Sequence, residues 1–217
     1  MSALQQVLFS GSGADTGLVA VNSTTFTIGS GFGARAGDLL VLIDAPANNA
    51  VTPFAPTGFT TISNNGSISL ALVSSYKILT GADLGATVTG MAGTNARKGL
   101  MYFRFASSVS TVTSGGAINS TATPMPTTTI TSGSGTGSNV IAVGVYRDSS
   151  GTLTTTFSPA PSALPYGTKD FDASGGAGSF FFISFNTFTG APSDVSTSAS
   201  NTSYTNFRTQ VFYLNVS

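Results

Sequence analysis

The sequence predicts an all-β protein, an antiparallel β-sandwich of jelly-roll type formed as a single domain over residues 1–217, with a candidate subdivision near 107–138. Three observations predict it. Thr, Ser, Val, Ile and Phe dominate the chain, and these residues fit a pleated, half-buried surface. Glu is absent and Lys and Gln are scarce, which removes most of the residues that favour helix. Gly (26), Pro (9) and Asn recur at short intervals, as turns between about a dozen strands require.

The elements follow in order. "ALQQVLF" opens the chain; the Gly-rich stretch Gly13 to Gly17, the short apolar run "LVAV" and the strand "TTFTIG" come next. "GDLLVLIDAP" holds an apolar run from Leu39 to Ile43, too short for a helix and suited to a strand buried on both faces. "GFTTISNNGSISLALVSSYKIL" predicts a hairpin turning at Asn65 and Gly66, since Asn and Gly tolerate the positive φ of a tight turn. In its return strand Ile68, Leu70, Leu72, Tyr76 and Ile78 share one face and Ser67, Ser69, Ser75 and Lys77 the other, a period-two pattern that puts one face in a core and one in water or an interface. "GATVTG" and "KGLMYFRFAS" complete this half, with Met101, Phe103 and Phe105 on one face and Leu100, Tyr102 and Arg104 on the other.

The lower-complexity stretch from Ser107 to Ser138 reads as a strand-bearing crossing inside one sandwich, its Thr-rich "TTTIT" being good strand material; a linker between two domains is the alternative. "NVIAVGVYRDSSGTLTTTF" reads as a second hairpin turning at Asp148 to Gly151. "SPAPSALPYG" is a Pro-rich loop, and "GSFFFISFNTF" and "YTNFRTQVFYLNV" are long strands that keep the end of the chain in a sheet. Phe180, Phe181 and Phe182 put rings on both faces of one strand, as a central strand or a subunit interface requires.

Charged residues make up 7% of the chain, against roughly 25% in an average soluble domain, and the net charge is zero. Little long-range repulsion keeps copies apart, so self-association is expected. The eight basic residues are scattered and offer no stripe to a phosphate backbone, so nucleic acid is not an expected partner. With no basic leader and no run near the roughly 20 apolar residues that span a bilayer, neither export by a signal peptide nor membrane insertion is expected. His, Cys, Trp and Glu are all absent, which excludes Ser-His-Asp and Cys-His nucleophile systems, disulfides and His- or Cys-ligated zinc. The expectation is a non-enzyme without cofactor or metal.

Two motifs test that expectation. "GADTG" contains the Asp-Thr-Gly triplet of aspartic proteases, whose two facing carboxylates share a proton. Here Asp15 follows "SGSGA" in place of an apolar strand, and "GADLG" at Gly81 to Gly85 echoes it with the chemistry altered, so both read as turns. An aspartic-type hydrolase is thus the third reading. Asp170 and Asp172 in "KDFD" share one face if extended, close enough to hold a cation; with no further acid nearby, the segment reads as a solvated loop with Lys169 as counter-charge. "GSGFGARAG" up to Gly37 is Gly-rich but lacks the Lys-Ser/Thr of a phosphate-binding loop.

The candidate interface residues are Phe180, Phe182, Arg104 and Tyr102. Arg104 lies between two Phe residues, where it either faces water at an edge or stacks on an aromatic and pairs with an Asp, bridging two sheets or two subunits. Asp44, at the end of another apolar strand, is its candidate partner.

The succession "GDLLVLIDAP", "PTGFTTIS", "SYKILTGADLGATVTG" and "MYFRFAS" resembles a pattern of tailed-bacteriophage virion proteins and some bacterial surface proteins. There a "GDLL" strand leads through a Pro-Gly loop to an aromatic-Thr strand, then to a "YK" strand and a turn before a "T-V-T" strand. Phe59 stands where the family often carries Trp. The resemblance covers Gly37 to about Ser107 and implies a jelly-roll-like structural protein on the virion, as capsid decoration, head fibre or tail module. The favoured expectation is a capsid decoration or cement protein, a homotrimer seated on the major capsid protein at the outer surface of the particle. The alternative is a tail or fibre adhesin that grips host-surface glycans through rim loops Ala45 to Gly58 and Ser158 to Gly167, with Phe54 and Tyr166 as contacts.

Overall fold

The computed structural model describes the backbone of residues 4–9, 18–19, 25–29, 33–45, 55–65, 72–89, 97–105, 107–120, 128–130, 139–148, 154–158, 167–171, 180–189, 195–200 and 207–216. Side chains are described over 25–29, 33–44, 55–64, 73–89, 102–105 and 107–112, and at Phe212, Leu214 and Val216. These residues form sixteen strands, every pairing antiparallel, and a single turn of 3-10 helix at Gly81–Asp83. The all-β class is therefore observed. The chain divides into two compact units, Ser2–Ser110 and Thr111–Ser217, and the boundary falls inside the 107–138 stretch that the sequence marks.

The first unit carries β1 (Leu4–Phe9), β2 (Leu18–Val19), β3 (Phe26–Thr27), β4 (Leu39–Ala45), β5 (Thr60–Asn65), β6 (Leu72–Ile78), β7 (Thr87–Val88) and β8 (Arg97–Phe105). Its main sheet has the order β1-β8-β4-β6-β5, with β2 also on β8, and β3 and β7 form a separate ribbon. β4 is central, as its unbroken apolar run demands: Leu39, Leu40, Val41, Leu42 and Ile43 are all buried. Burial of each such side chain contributes about 1.5–3 kcal/mol. Pairing of Leu40 with Tyr102 places both on one sheet face with Leu42, and there they pack with Phe26 and Ile28 from the ribbon end and with Leu79. Ala34, Phe59 and Val88 complete this cluster. On the opposite face Leu39 stands beside Phe103, and Phe105 is buried as well. The Phe103/Phe105 and Tyr102/Arg104 alternation is thus as expected; the side chains of Leu100 and Met101 lie outside the described residues.

The β5–β6 hairpin is present, but its turn differs from the expected one. Asn65 pairs with Leu72, which excludes a two-residue turn at Asn65–Gly66. The face assignment changes too. Ser75 pairs with Leu42 on the face that the ribbon cluster occupies and is fully buried, and Ser74 is buried on the other face, while Tyr76 and Ile78 remain half-exposed. Serine at 75 is a core position because β6 lies next to β4, whose two faces are both covered. Ile68 and Leu70 lie outside the described residues.

The second unit carries β9 (Val112–Ser120), β10 (Thr128–Ile130), β11 (Asn139–Asp148), β12 (Thr154–Ser158), β13 (Gly167–Phe171), β14 (Phe180–Thr189), β15 (Val195–Ser200) and β16 (Phe207–Val216). One sheet has the order β13-β14-β11-β16-β9 and another the order β10-β15-β12. "TTTIT" does supply a strand, and the strands at 180–189 and 207–216 are long. The predicted hairpin at Asp148–Gly151 does not form. β11 is flanked on both sides, by β14 and β16, so β12 has no edge to join there and pairs with β15 in the other sheet. Phe212, Leu214 and Val216, on one face of β16, are buried.

Candidate functional site

Two corners of the first unit concentrate its described polar chemistry. The first is built on β8. The antiparallel register pairs Leu39 with Phe103, so the next residue outward, Arg104, lies beside Asp38. Arg104 Nε donates to Asp38 Oδ1 at 2.9 Å and Nη2 to Oδ2 at 2.7 Å, a forked pair, and Nη2 also donates to the Gly33 carbonyl at 2.8 Å. The Arg35 N–H donates to Asp38 Oδ2 at 2.9 Å. The two side chains are 13% and 4% exposed. The hydrogen bonds it donates to Asp38 hold the guanidinium pKa above its ordinary value despite burial. This clasp fastens the described part of the Gly-rich segment, and Tyr102 fastens its start, its hydroxyl accepting from the Gly29 N–H at 3.4 Å. Burial raises the Tyr102 pKa to about 12.

Gly37 completes the corner. Its N–H donates to the Leu79 carbonyl and its carbonyl accepts from Val109 N–H, at 2.7 and 3.3 Å. Its φ is +87°, and a Cβ there would stand 2.7 Å from Ser108 Oγ, so glycine alone fits.

The second corner is a cleft of about 190 Å³ lined by Ile28, Thr57, Phe59, Lys77, Asp83 and Ala86 to Thr89. Three local devices position its walls. A turn closed by Phe59 N–H to the Pro56 carbonyl, at 3.0 Å, delivers Thr57 and Phe59. The "GADLG" segment forms a 3-10 turn in which Asp83 Oδ2 accepts from Thr80 N–H and Thr80 Oγ–H, both at 2.8 Å. β7 then returns along β3 and brings Thr87 and Val88. Lys77 Nζ lies 2.6 Å from Asp83 Oδ1 and 5.8 Å from the centroid of the Phe59 ring, which meets Phe26 edge-on at 6.4 Å. Burial pushes the Asp83 carboxyl up, but the hydrogen bonds from Lys77 and Thr80 and the Lys77 charge outweigh it and hold the pKa below the usual value.

Arg104 is paired within its own unit, with its side chain 13% exposed. Its partner is Asp38; Asp44, the expected one, is buried at the far end of β4, opposite Lys98 and Val73. Tyr102 is fully buried in the ribbon cluster and has no surface to offer another copy, which corrects its placement at an interface. Phe180 and Phe182 occupy register positions opposite Asp148 and Tyr146 on β14, a central strand, with side chains outside the described residues. Asp170 is in β13 opposite Phe182, a strand in place of the expected loop, and Asp172 lies outside the described residues. Phe54, Tyr166 and Asp15 also lie outside them. "GADLG" is a turn, as expected. Among the described residues no three acidic side chains gather as a metal site would need, and no helix is long and apolar enough to cross a membrane.

Sequence patterning missed Asp38 and the Lys77–Asp83–Phe59 group. Asp38 precedes the first apolar residue of β4, and only the register with β8 distinguishes it from Asp44. The second group joins a turn, a strand and a 3-10 turn whose proximity depends on the ribbon. No family model, curated protein or solved structure matches the chain.

Proposed function

We propose that this chain is a structural protein of a tailed-phage particle, a jelly-roll-like sandwich that binds the outer capsid surface in many copies, as a homotrimer, and stabilises the shell. The observation that carries this reading is the order of elements from Gly37 to Ser107. A "GDLL" strand, β4, leads to the Pro56–Phe59 turn and the Thr-rich β5, then to the "YK" strand β6, the turn at Thr80–Gly85 and the "TVT" strand β7. This is the succession on which the resemblance to virion proteins rests. Composition supports it: a chain with 7% charged residues and no net charge presents a neutral, hydroxyl-rich surface suited to packing against copies of itself and the shell. The role asks for no reacting group. Ligands that bind the assembled state and not its parts stabilise it by mass action.

Light scattering of the purified chain should give a trimer, and adding it to bare capsids should raise their disruption temperature. A monodisperse monomer that leaves the capsid temperature unchanged would sink the proposal.

A further inference from the structure

We propose that the cleft between the Pro56–Phe59 turn, Lys77–Asp83 and β7 binds one neutral sugar ring, as a free glycoside or as the terminal unit of a glycan. The proposal goes beyond shell binding and does not depend on it. Size is the first argument: about 190 Å³ is below the roughly 300–1,000 Å³ of pockets that take drug-sized ligands, and it suits a single ring. Shape and polarity are the second. The base is apolar, from Ile28, Val88 and the half-buried ring of Phe59, whose tilt is fixed by its edge contact with Phe26. The rim is exposed and rich in hydroxyls, from Thr57, Thr87 and Thr89. Apolar C–H groups of a pyranose meet the apolar base, and its ring hydroxyls meet side chains that both donate and accept.

Charge is the third argument. Lys77 and Asp83 neutralise each other at 2.6 Å, so the cleft offers no net positive charge to a phosphate or carboxylate and no net negative charge to a cation. Asp83 is occupied on both oxygens, by Lys77 and by Thr80, which leaves it a positioning role. Lys77 Nζ has three N–H groups and the ion pair uses one, so a fixed donor remains for a hydroxyl or ring oxygen. Affinity for one ring is expected to be weak, on the order of 1 mM, and repeated copies on a surface would multiply it.

The test is an amide-resolved NMR titration of the full chain with the methyl glycosides of glucose, galactose, mannose and N-acetylglucosamine, and separately with inorganic phosphate. At least one glycoside should give saturable shifts at Phe59, Lys77, Asp83 and Thr87–Thr89, and phosphate none. A Thr87→Val/Thr89→Val variant changes two exposed side chains, keeps the remaining spectrum and should bind at least about tenfold more weakly. Absence of saturable shifts with every glycoside up to ~100 mM, saturation by phosphate alone, or undiminished binding by the double variant would overturn the proposal. Those outcomes leave the capsid disruption temperature untouched, so failure here is distinct from failure of the shell-binding reading.

Discussion

The Arg104–Asp38 clasp and the Lys77–Asp83 pair sit in the same unit and use the same charges, yet their geometry assigns them different work. The first is forked, has side chains 13% and 4% exposed, and holds a backbone carbonyl as well. The second is a single contact with side chains 23% and 13% exposed at the wall of an open cleft. Charges taken out of water are tolerated only when every partner is in place, whereas a pair beside solvent contributes little and leaves donors to spare. The contrast separates a residue pair that maintains the fold from one that can serve a ligand.

The largest effect should come from Arg104→Ala. It leaves the Asp38 carboxylate buried without its forked partner and should cost about 3–5 kcal/mol, read as a shift in the urea midpoint. Arg104→Lys keeps the charge but loses the fork, and should cost about 1–3 kcal/mol. If the double-mutant coupling of Arg104 with Asp38 proves no larger than that of Lys77 with Asp83, the contrast fails.

Tyr102 extends the comparison to alkaline pH. Its folded pKa, about 12, exceeds the unfolded value near 10, so the folded state holds the proton more tightly. Stability is therefore intact below pH ~10 and falls as pH rises toward ~12, by on the order of 2–3 kcal/mol. Tyr102→Phe should flatten that decline in urea titrations taken at successive pH values.

At the open corner the sign reverses and the size shrinks. The folded pKa of Asp83 lies below its unfolded value near 3.9, so its contribution is present above pH ~4 and is lost as pH falls through the folded value. Asp83→Asn should remove this acid dependence and cost no more than about 1 kcal/mol at neutral pH, as solvent screens the pair.

Ser75→Ala should produce the smallest change and in the opposite direction. Ser75 Oγ is buried and meets no hydrogen-bond partner, so its removal should leave stability unchanged or raise it by up to about 1 kcal/mol, measurable as a rise in Tm.

Strand class and the central place of β4 were legible because an unbroken run from Leu39 to Ile43 has one physical solution in a β protein, burial on both faces. Tyr102 and Arg104 were correctly placed on a common face by period-two alternation. The partner of Arg104 was not legible. Asp38 and Asp44 have the same parity, and only the offset of β4 against β8 brings residue 38 to Arg104 and residue 44 to Lys98. β9 was hidden for a different reason. Gly115 and Gly116 weaken its strand pattern, and they coincide with a bulge at which Ile118 and Gly115 pair with Val211 and Tyr213. Ser75 misled because its polarity suggested water, while the sheet order places it beside Leu42. The cleft depends on contacts among three elements and left no signal in any one of them.

The place of β8 in its sheet has a kinetic consequence. It is the last strand of the first unit to be synthesised, yet it pairs with β1, β2 and β4, and its register joins Phe105 to Leu4. Until it arrives, β4 has an open apolar edge and Asp38 lacks its cation. Pairings so distant along the chain pay their loop-closure entropy before contacts repay it, which slows folding. A nascent chain arrested before Arg97 would expose an adhesive strand, so assembly of this unit should be all-or-none, timed by completion of β8.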